Sequence, residues 1–256
     1  FQFNKKNKEI SVINYHYFIE NNKKPIDDSL EINFDTFEKQ LQTLSYSNNF
    51  LDKINNMNLF FKNKKIISNN KRYFITIDDA DLNIKKIIPM LKKYKIPITL
   101  FVPFGFCLDE NSEISLKSRC LHHLYFKVIK NSSKINLEKK LFDQFNNIMN
   151  LDKEYLNKKY NDLIKNNNSF FVKKKFLSVS DLKELSKNNF ITVASHSMSH
   201  VPLSNLPKKW LFWEISESQK LTKQIKGDHT IFSYPYGHLN SYNQNVKDAL
   251  KYHKIK

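Results

Sequence analysis

The stretch Tyr73-Phe74-Ile75-Thr76-Ile77-Asp78-Asp79-Ala80-Asp81 decides the fold. Its first five residues are aromatic, apolar or β-branched, the composition of a buried strand. Carboxylates follow at once. Adjacent side chains at a strand end point in different directions, so one Asp can reach a cation while its neighbour reaches a water. Two carboxylates this close repel, and a nearby cation lets both stay ionised. The plainer alternative is that one of them caps the following helix, a common role for Asp.

Four more segments read as buried strands: Ile10–Tyr15, Ile98–Val102, 191–194 and 230–234. Between them lie helical patterns. Residues 35–44 put Phe37, Leu41 and Leu44 on one face, and Ile84–Tyr94 carries Ile87, Ile88, Leu91 and Tyr94, stopping before Pro97. Residues 180–185 open on a Ser, and 210–225 align Leu211, Ile215 and Leu221. Strand alternating with helix predicts an α/β fold with parallel strands.

Residues 103–175 interrupt that rhythm. They are polar, rich in Asn and Lys, and helical in pattern over 137–149 and 155–164. They read as a helical insertion within a single domain spanning 1–256. Such an insertion is either a surface excursion or a cap that shapes a substrate pocket.

A second cluster, Ser195-His196-Ser197-Met198-Ser199-His200, also follows an apolar strand. The His-x-x-x-His spacing lets both imidazoles face one metal from a single helical turn. The alternative is a pair of surface histidines. A third, Phe232-Ser233-Tyr234-Pro235-Tyr236-Gly237, runs from strand into turn. Pro fixes one backbone angle and Gly relaxes another, and such a turn can aim a backbone N–H at a developing oxyanion. All three clusters fall at C-terminal ends of predicted strands, the face that carries the active site in (β/α) barrels. One carboxylate with two histidines is a catalytic zinc set with an open position for water.

Composition narrows the partners. The chain has 256 residues, 42 basic against 25 acidic, for a net charge of +17. Most basic residues are Lys scattered among Asn, the pattern of a solvated surface rather than a nucleic-acid face. No aromatic-basic motif accompanies the charge, so nucleic acid is not an expected partner. The charge favours anionic or lipid-linked partners. Three glycines leave no Gly-rich phosphate loop. Cys107 and Cys120 form no disulfide framework. No apolar run reaches the roughly 18 residues that span a bilayer. The N-terminal ten residues are polar, unlike a signal peptide. A soluble protein, cytoplasmic or peripheral to the membrane rather than secreted, is the expectation.

The three clusters resemble the motifs of the NodB-type polysaccharide deacetylases, carbohydrate esterase family four. Thr76-Ile77-Asp78-Asp79-Ala80 is similar to the family's Thr-Phe-Asp-Asp-Gly, and His196 to His200 to its His-Ser/Thr-x-x-His. Ser233-Tyr234-Pro235-Tyr236-Gly237 is similar to its Arg-x-Pro-Tyr/x-Gly. Val12-Ile13-Asn14-Tyr15-His16 resembles the family's early strand. The resemblance implies a distorted (β/α)7 barrel. It also implies metal-dependent deacetylation of an N-acetylated sugar in a polysaccharide or glycan precursor. Asp78 would be the general base. Asp79, His196 and His200 would hold a divalent metal, zinc by preference. Tyr236 would offer its backbone N–H to the oxyanion, and Pro235 and Tyr234 would line the substrate pocket.

Ala80 and Ser233 depart from the family pattern, standing for its Gly and its Arg. The later family motifs, an Asp/Trp segment and a Leu-x-His, have no visible counterpart. Either the expected barrel is short of one or two strands, or the general acid is supplied differently. Two alternatives stay open: a glycan-binding member without catalysis, and an amidase of a small-molecule amide.

Overall fold

The computed structural model describes residues 10–46, 72–130, 137–165, 170–239 and 241–255. They divide into two compact units, Phe1–Leu100 with Leu185–Thr192, and Phe101–Glu184 with Val193–Lys256. The division passes through two strands, β5 (Ile98–Val102) and β6 (Ile191–Ser195).

The first unit holds β1 (Ile10–Tyr15), β2 (Tyr17–Ile19), β3 (Glu31–Asn33), α1 (Phe34–Ser45), β4 (Arg72–Ile77) and α2 (Ile84–Tyr94). β1 pairs with β4 in parallel, Asn14 opposite Thr76 and Tyr15 opposite Ile77. β4 pairs in parallel with β5, Thr76 opposite Thr99. The Asp78 N–H donates to the Tyr15 carbonyl at 2.9 Å and carries the ladder one residue past β4. Asn33 caps α1 by accepting from the Thr36 N–H at 2.9 Å. Phe34, Phe37 and Leu41 form the buried stripe of α1. Phe37 meets Phe18 and Tyr15 edge-on, with ring centroids 4.9 and 5.0 Å apart. Burying side chains of this size stabilises by about 1.5–3 kcal/mol each. Helix α2 buries Ile84, Ile87 and Leu91. It ends at Lys95, whose left-handed backbone (φ 54°) turns the Ile96 N–H back onto the Leu91 carbonyl. Glu38 of α1 accepts from Lys93 at 2.7 Å and from the Tyr94 hydroxyl at 3.1 Å, both on α2.

The second unit holds α3 (Phe104–Cys107), α4 (Glu113–Lys130), α5 (Leu137–Asn150), α6 (Lys153–Ile164), α8 (Lys208–Gln224) and α9 (Gln244–Tyr252). Helix α7 (Val179–Leu185) ends at the boundary between the units. Side chains of α4, α5 and α6 share one core cluster with those of α8 and α9. Leu121, Tyr125, Phe145 and Leu156 belong to it, as do Leu211 and Ile215. The helices of 103–175 are thus built into the unit's core. Cys107 and Cys120 are both buried.

The fold is α/β with parallel strands, as the alternation of patterns predicts. Among the described residues the main sheet has the order β1-β4-β5-β6, an arrangement compatible with a distorted barrel. Two details differ from the sequence reading. The segment 230–234 forms a single bridge, Phe232 to Ser195, rather than a strand. The Asp228 carboxylate takes the Thr230 N–H at 2.9 Å and its hydroxyl at 2.7 Å, and such local bonds compete with ladder pairing. The three-residue parallel pair β2–β3 is too short to show a period.

Gly105 is where α3 and α4 touch most closely. A Cβ there would lie 2.2 Å from the Ser118 Cβ and 2.7 Å from the Met198 carbonyl oxygen. Neither atom sits on a flexible side-chain end. Gly105→Ala is expected to destabilise the protein by about 1–3 kcal/mol, the usual cost of overpacking. Urea unfolding against wild type measures it, and an unchanged midpoint would contradict the packing described here.

Candidate metal centre

In the first unit, β1 and β4 end side by side and present three acidic residues. The Asn14 amide donates to Asp78 Oδ2 at 3.1 Å. The Thr76 hydroxyl donates to Asn14 Oδ1 at 2.8 Å, which fixes which way the amide faces. His16 Nε2 lies 4.0 Å from the same Asp78 oxygen. The Tyr17 hydroxyl donates to Asp79 Oδ2 at 2.8 Å. Asp81 accepts from the Phe18 N–H at 3.0 Å and so ties the start of β2 to the loop after β4.

The capping alternative for the two Asp residues does not describe this loop. Asn83 is the N-cap of α2 and makes no side-chain cap bond. Asp78, Asp79 and Asp81 are all buried. Asp79 and Ala80 take left-handed backbone, φ 68° and 55°. Asp tolerates that region, and an alanine there carries about 1–2 kcal/mol of strain. Ala80 therefore stands at a position that favours the Gly of the resembled motif. Its fully buried methyl offsets part of the cost.

In the second unit, His196 and His200 leave the end of β6. Both are buried, so they are not surface histidines. Their ring centroids are 5.0 Å apart. The segment between them is a loop, not the helical turn expected from the spacing, with left-handed backbone at Ser197 (φ 70°) and His200 (φ 50°). It is held from three sides. The Phe104 and Gly105 N–H groups donate to the Ser197 and Met198 carbonyls at 3.1 and 3.0 Å. His122 Nδ1 lies 3.0 Å from the carbonyl oxygens of both Ser199 and His200. Burial, with His200 and His123 beside it, holds the His122 imidazole well below its ordinary pKa. The ring is therefore neutral and donates one N–H to these acceptors.

The third hold is Glu214 on α8. Its Oε2 accepts from the Met198 and Ser199 N–H groups at 2.8 and 2.9 Å, and its Oε1 takes the Ser199 hydroxyl. Burial pushes this carboxyl upward, opposed by the Ser199 and Met198 donors. His196 Nδ1 lies 2.9 Å from the Ser233 carbonyl oxygen. That bond assigns a proton to Nδ1 and leaves Nε2 as the nitrogen able to meet a metal, the usual arrangement of a metal-ligating histidine.

The turn after Phe232 closes with the Gly237 N–H on the Tyr234 carbonyl at 3.2 Å. Pro235 occupies the second position. Tyr236 takes the third with φ 69°, and Gly237 follows with φ 60°. A non-glycine at positive φ in the third position is costly and marks a backbone held for a purpose. The Tyr236 hydroxyl donates to the His200 carbonyl at 3.4 Å. Pro235 is buried, and the Tyr234 ring stacks on Tyr242 at 4.7 Å.

Sequence reasoning missed Asn14, Tyr17, His122 and Glu214. Glu214 left a trace: it lies on the apolar stripe of α8 with Leu211, Ser218 and Thr222, all buried. An acid on a buried stripe needs a polar partner. No helix among the described residues is long and apolar enough to cross a membrane.

The polysaccharide deacetylase family model matches residues 152–256. No curated protein matches the sequence significantly. A Streptococcus pyogenes deacetylase, solved with acetate, superposes with a TM-score of 0.62 at 17% identity, over 96% of this chain and 81% of that one. A de-N-acetylase from Aggregatibacter actinomycetemcomitans gives a TM-score of 0.60 at 13% identity, over 96% and 85%. A polysaccharide deacetylase from Bacillus cereus gives 0.59 at 18% identity over 97% of this chain. This chain spans 56% of the length of that last protein. The likeness to polysaccharide deacetylases thus rests on the family match over residues 152–256, and the solved structures share the fold across nearly the whole chain.

Proposed function

We propose that the protein is a metal-dependent de-N-acetylase of an N-acetylated glycan or glycan precursor. The observation that carries this reading is the buried pair His196 and His200, on a loop held by Glu214 and His122; the resembled motif adds Asp79, buried just past β4, as the carboxylate. One carboxylate with two imidazoles is the donor set of a catalytic zinc site with a position left for water. The His196 ring, with Nδ1 engaged by the Ser233 carbonyl, leaves Nε2 to serve that role. The family match and the de-N-acetylase among the fold's relatives support the amide as the bond cleaved.

In this reading Asp79, His196 and His200 hold the divalent ion, zinc by donor preference. When bound, it polarises the acyl carbonyl and acidifies water. Asp78 accepts the proton of the attacking water. The Asn14 amide, itself fixed by Thr76, orients the Asp78 carboxylate, a task the resembled motif gives to an Arg where this chain has Ser233. The Tyr236 N–H, on its left-handed backbone, meets the charge that develops on the acyl oxygen. Pro235 shapes the acyl pocket and Tyr234 backs it. The net charge of +17 favours an anionic or lipid-linked glycan over a neutral one.

Acetate release from a panel of N-acetylated oligosaccharides, with and without chelator, tests the reading. Release is expected to stop with chelator and return with added zinc. Asp78→Asn is expected to abolish release while metal content stays at wild-type level; turnover in that variant would remove Asp78 from the base role. His200→Ala is expected to lose the metal, measured by elemental analysis. Retention of a full equivalent would refute the ligand set.

Glu214→Gln keeps the shape of the side chain but removes the charge from the acceptor of the loop N–H donors and puts an N–H₂ group where an oxygen took the Ser199 hydroxyl. Supports of this kind are worth about 10- to 100-fold in metal affinity. Zinc titration by calorimetry should therefore show that loss. An unaltered affinity would mean that the loop does not depend on α8.

A further inference from the structure

Helix α4 and the 234–237 turn leave a set of aromatic rings bare. Phe126 is 39% exposed and Tyr236 is 42% exposed, and His238 is exposed as well. Their ring centroids follow one another, Phe126 to Tyr236 at 5.9 Å and Tyr236 to His238 at 6.3 Å. The row continues inward through His122 (5.1 Å from Phe126) to Phe106 (5.3 Å from His122), both buried. The outer rings are thus braced by inner ones. The row also abuts the ligand loop, with the Tyr236 ring 4.8 Å from that of His200.

Contiguous exposed aromatic surface marks a binding site. Its chemistry selects the occupant. The patch offers apolar ring faces with a hydroxyl and an imidazole at the edges. A pyranose has the complementary form, an apolar face of C–H groups with hydroxyls around the rim. A peptide strand would instead need exposed backbone donors and acceptors along the contact.

We propose that Phe126, Tyr236 and His238 form a platform on which a pyranose ring of the glycan stacks, next to the ring that carries the reacting acyl group. This rests on the deacetylase reading above and adds to it the way the chain grips a polymer. Phe126 and His238 flank Tyr236 on the side away from His200, so the contact at Phe126 acts on a neighbouring sugar of an oligosaccharide and leaves a monosaccharide unaffected.

The test compares the N-acetylglucosamine tetramer with the monosaccharide, by calorimetric binding and by acetate release. Phe126→Ala and Phe126→Leu are expected to weaken tetramer binding and raise its KM by about 3- to 10-fold, the range of one aromatic contact. Turnover at saturation should stay within about twofold, because the contact is uniform between ground and transition states. The monosaccharide should be unaffected, and Phe126→Trp should restore the tetramer. Leu keeps the apolar volume, so a loss in Leu as well as Ala separates stacking from folding. Equal tetramer affinity in all variants overturns the proposal, as does an equal loss for the monosaccharide. It is also overturned if wild type binds no tetramer, or if Phe126→Ala instead converts a dimer to a monomer in sedimentation. Tetramer binding that is lost in Phe126→Ala while no variant releases acetate would sink the catalytic reading and leave the platform standing.

Discussion

The presentation of the two histidines depends on how one buried carboxylate is satisfied. Taking a carboxylate out of water costs several kcal/mol, and Glu214 offsets it with two backbone N–H groups and a hydroxyl, all from Met198 and Ser199. Bonds to a charged acceptor are about twice as strong as neutral ones. The loop they fix needs that strength, because Ser197 and His200 both sit at positive φ, at roughly 1–3 kcal/mol each. Helix α8 anchors the carboxylate through Trp210, Leu211 and Ile215, which belong to the core cluster. The strain of the loop is thus carried by the packing of a helix.

The first unit solves the matching problem with strand register. In the β1–β4 pairing Asn14 falls opposite Thr76, and the hydroxyl sets the amide that meets Asp78. A shift of one residue would turn Asn14 to the other face and leave the carboxylate without that donor. The apolar content of β1 and β4 therefore positions a polar side chain. Where the resembled motif has an Arg, Ser233 contributes its backbone carbonyl to His196. The orienting of Asp78 falls to the other end of the chain.

What the sequence made legible follows from range. β1, β4, β5 and β6 are rich in apolar, aromatic and β-branched residues, and α1, α2 and α8 carry a clear stripe, so each was readable from its own residues. The acidic pair, the histidine pair and the Pro-Gly turn were readable as chemistry. The conformations were less so. The His196–His200 spacing fits a helical turn, and nothing local says that Glu214, His122 and Gly105 will pull it into a left-handed loop instead. The 230–234 segment has strand composition, but Asp228 captures Thr230 before a ladder can form. Asn14 looked like one Asn among many until register paired it with Thr76.

Helix α4, within residues 103–175, sets one face against the loops of the second unit. Ser118, His122 and Phe126 follow one another at intervals of four, so they share one face of the helix. Ser118 closes the space beside Gly105, whose N–H holds the Met198 carbonyl. His122 holds the Ser199 and His200 carbonyls, and Phe126 meets Tyr236 of the turn. One stripe therefore touches the packing of α3, the His196–His200 loop and the 234–237 turn in succession. His122 does this as a neutral ring, since burial keeps it unprotonated. A cation at that place would oppose any metal held by His200. A polar, Asn- and Lys-rich segment can carry such a stripe because only every fourth residue needs to be chosen for the site. The remaining positions are free to follow composition, which is why the segment reads as surface.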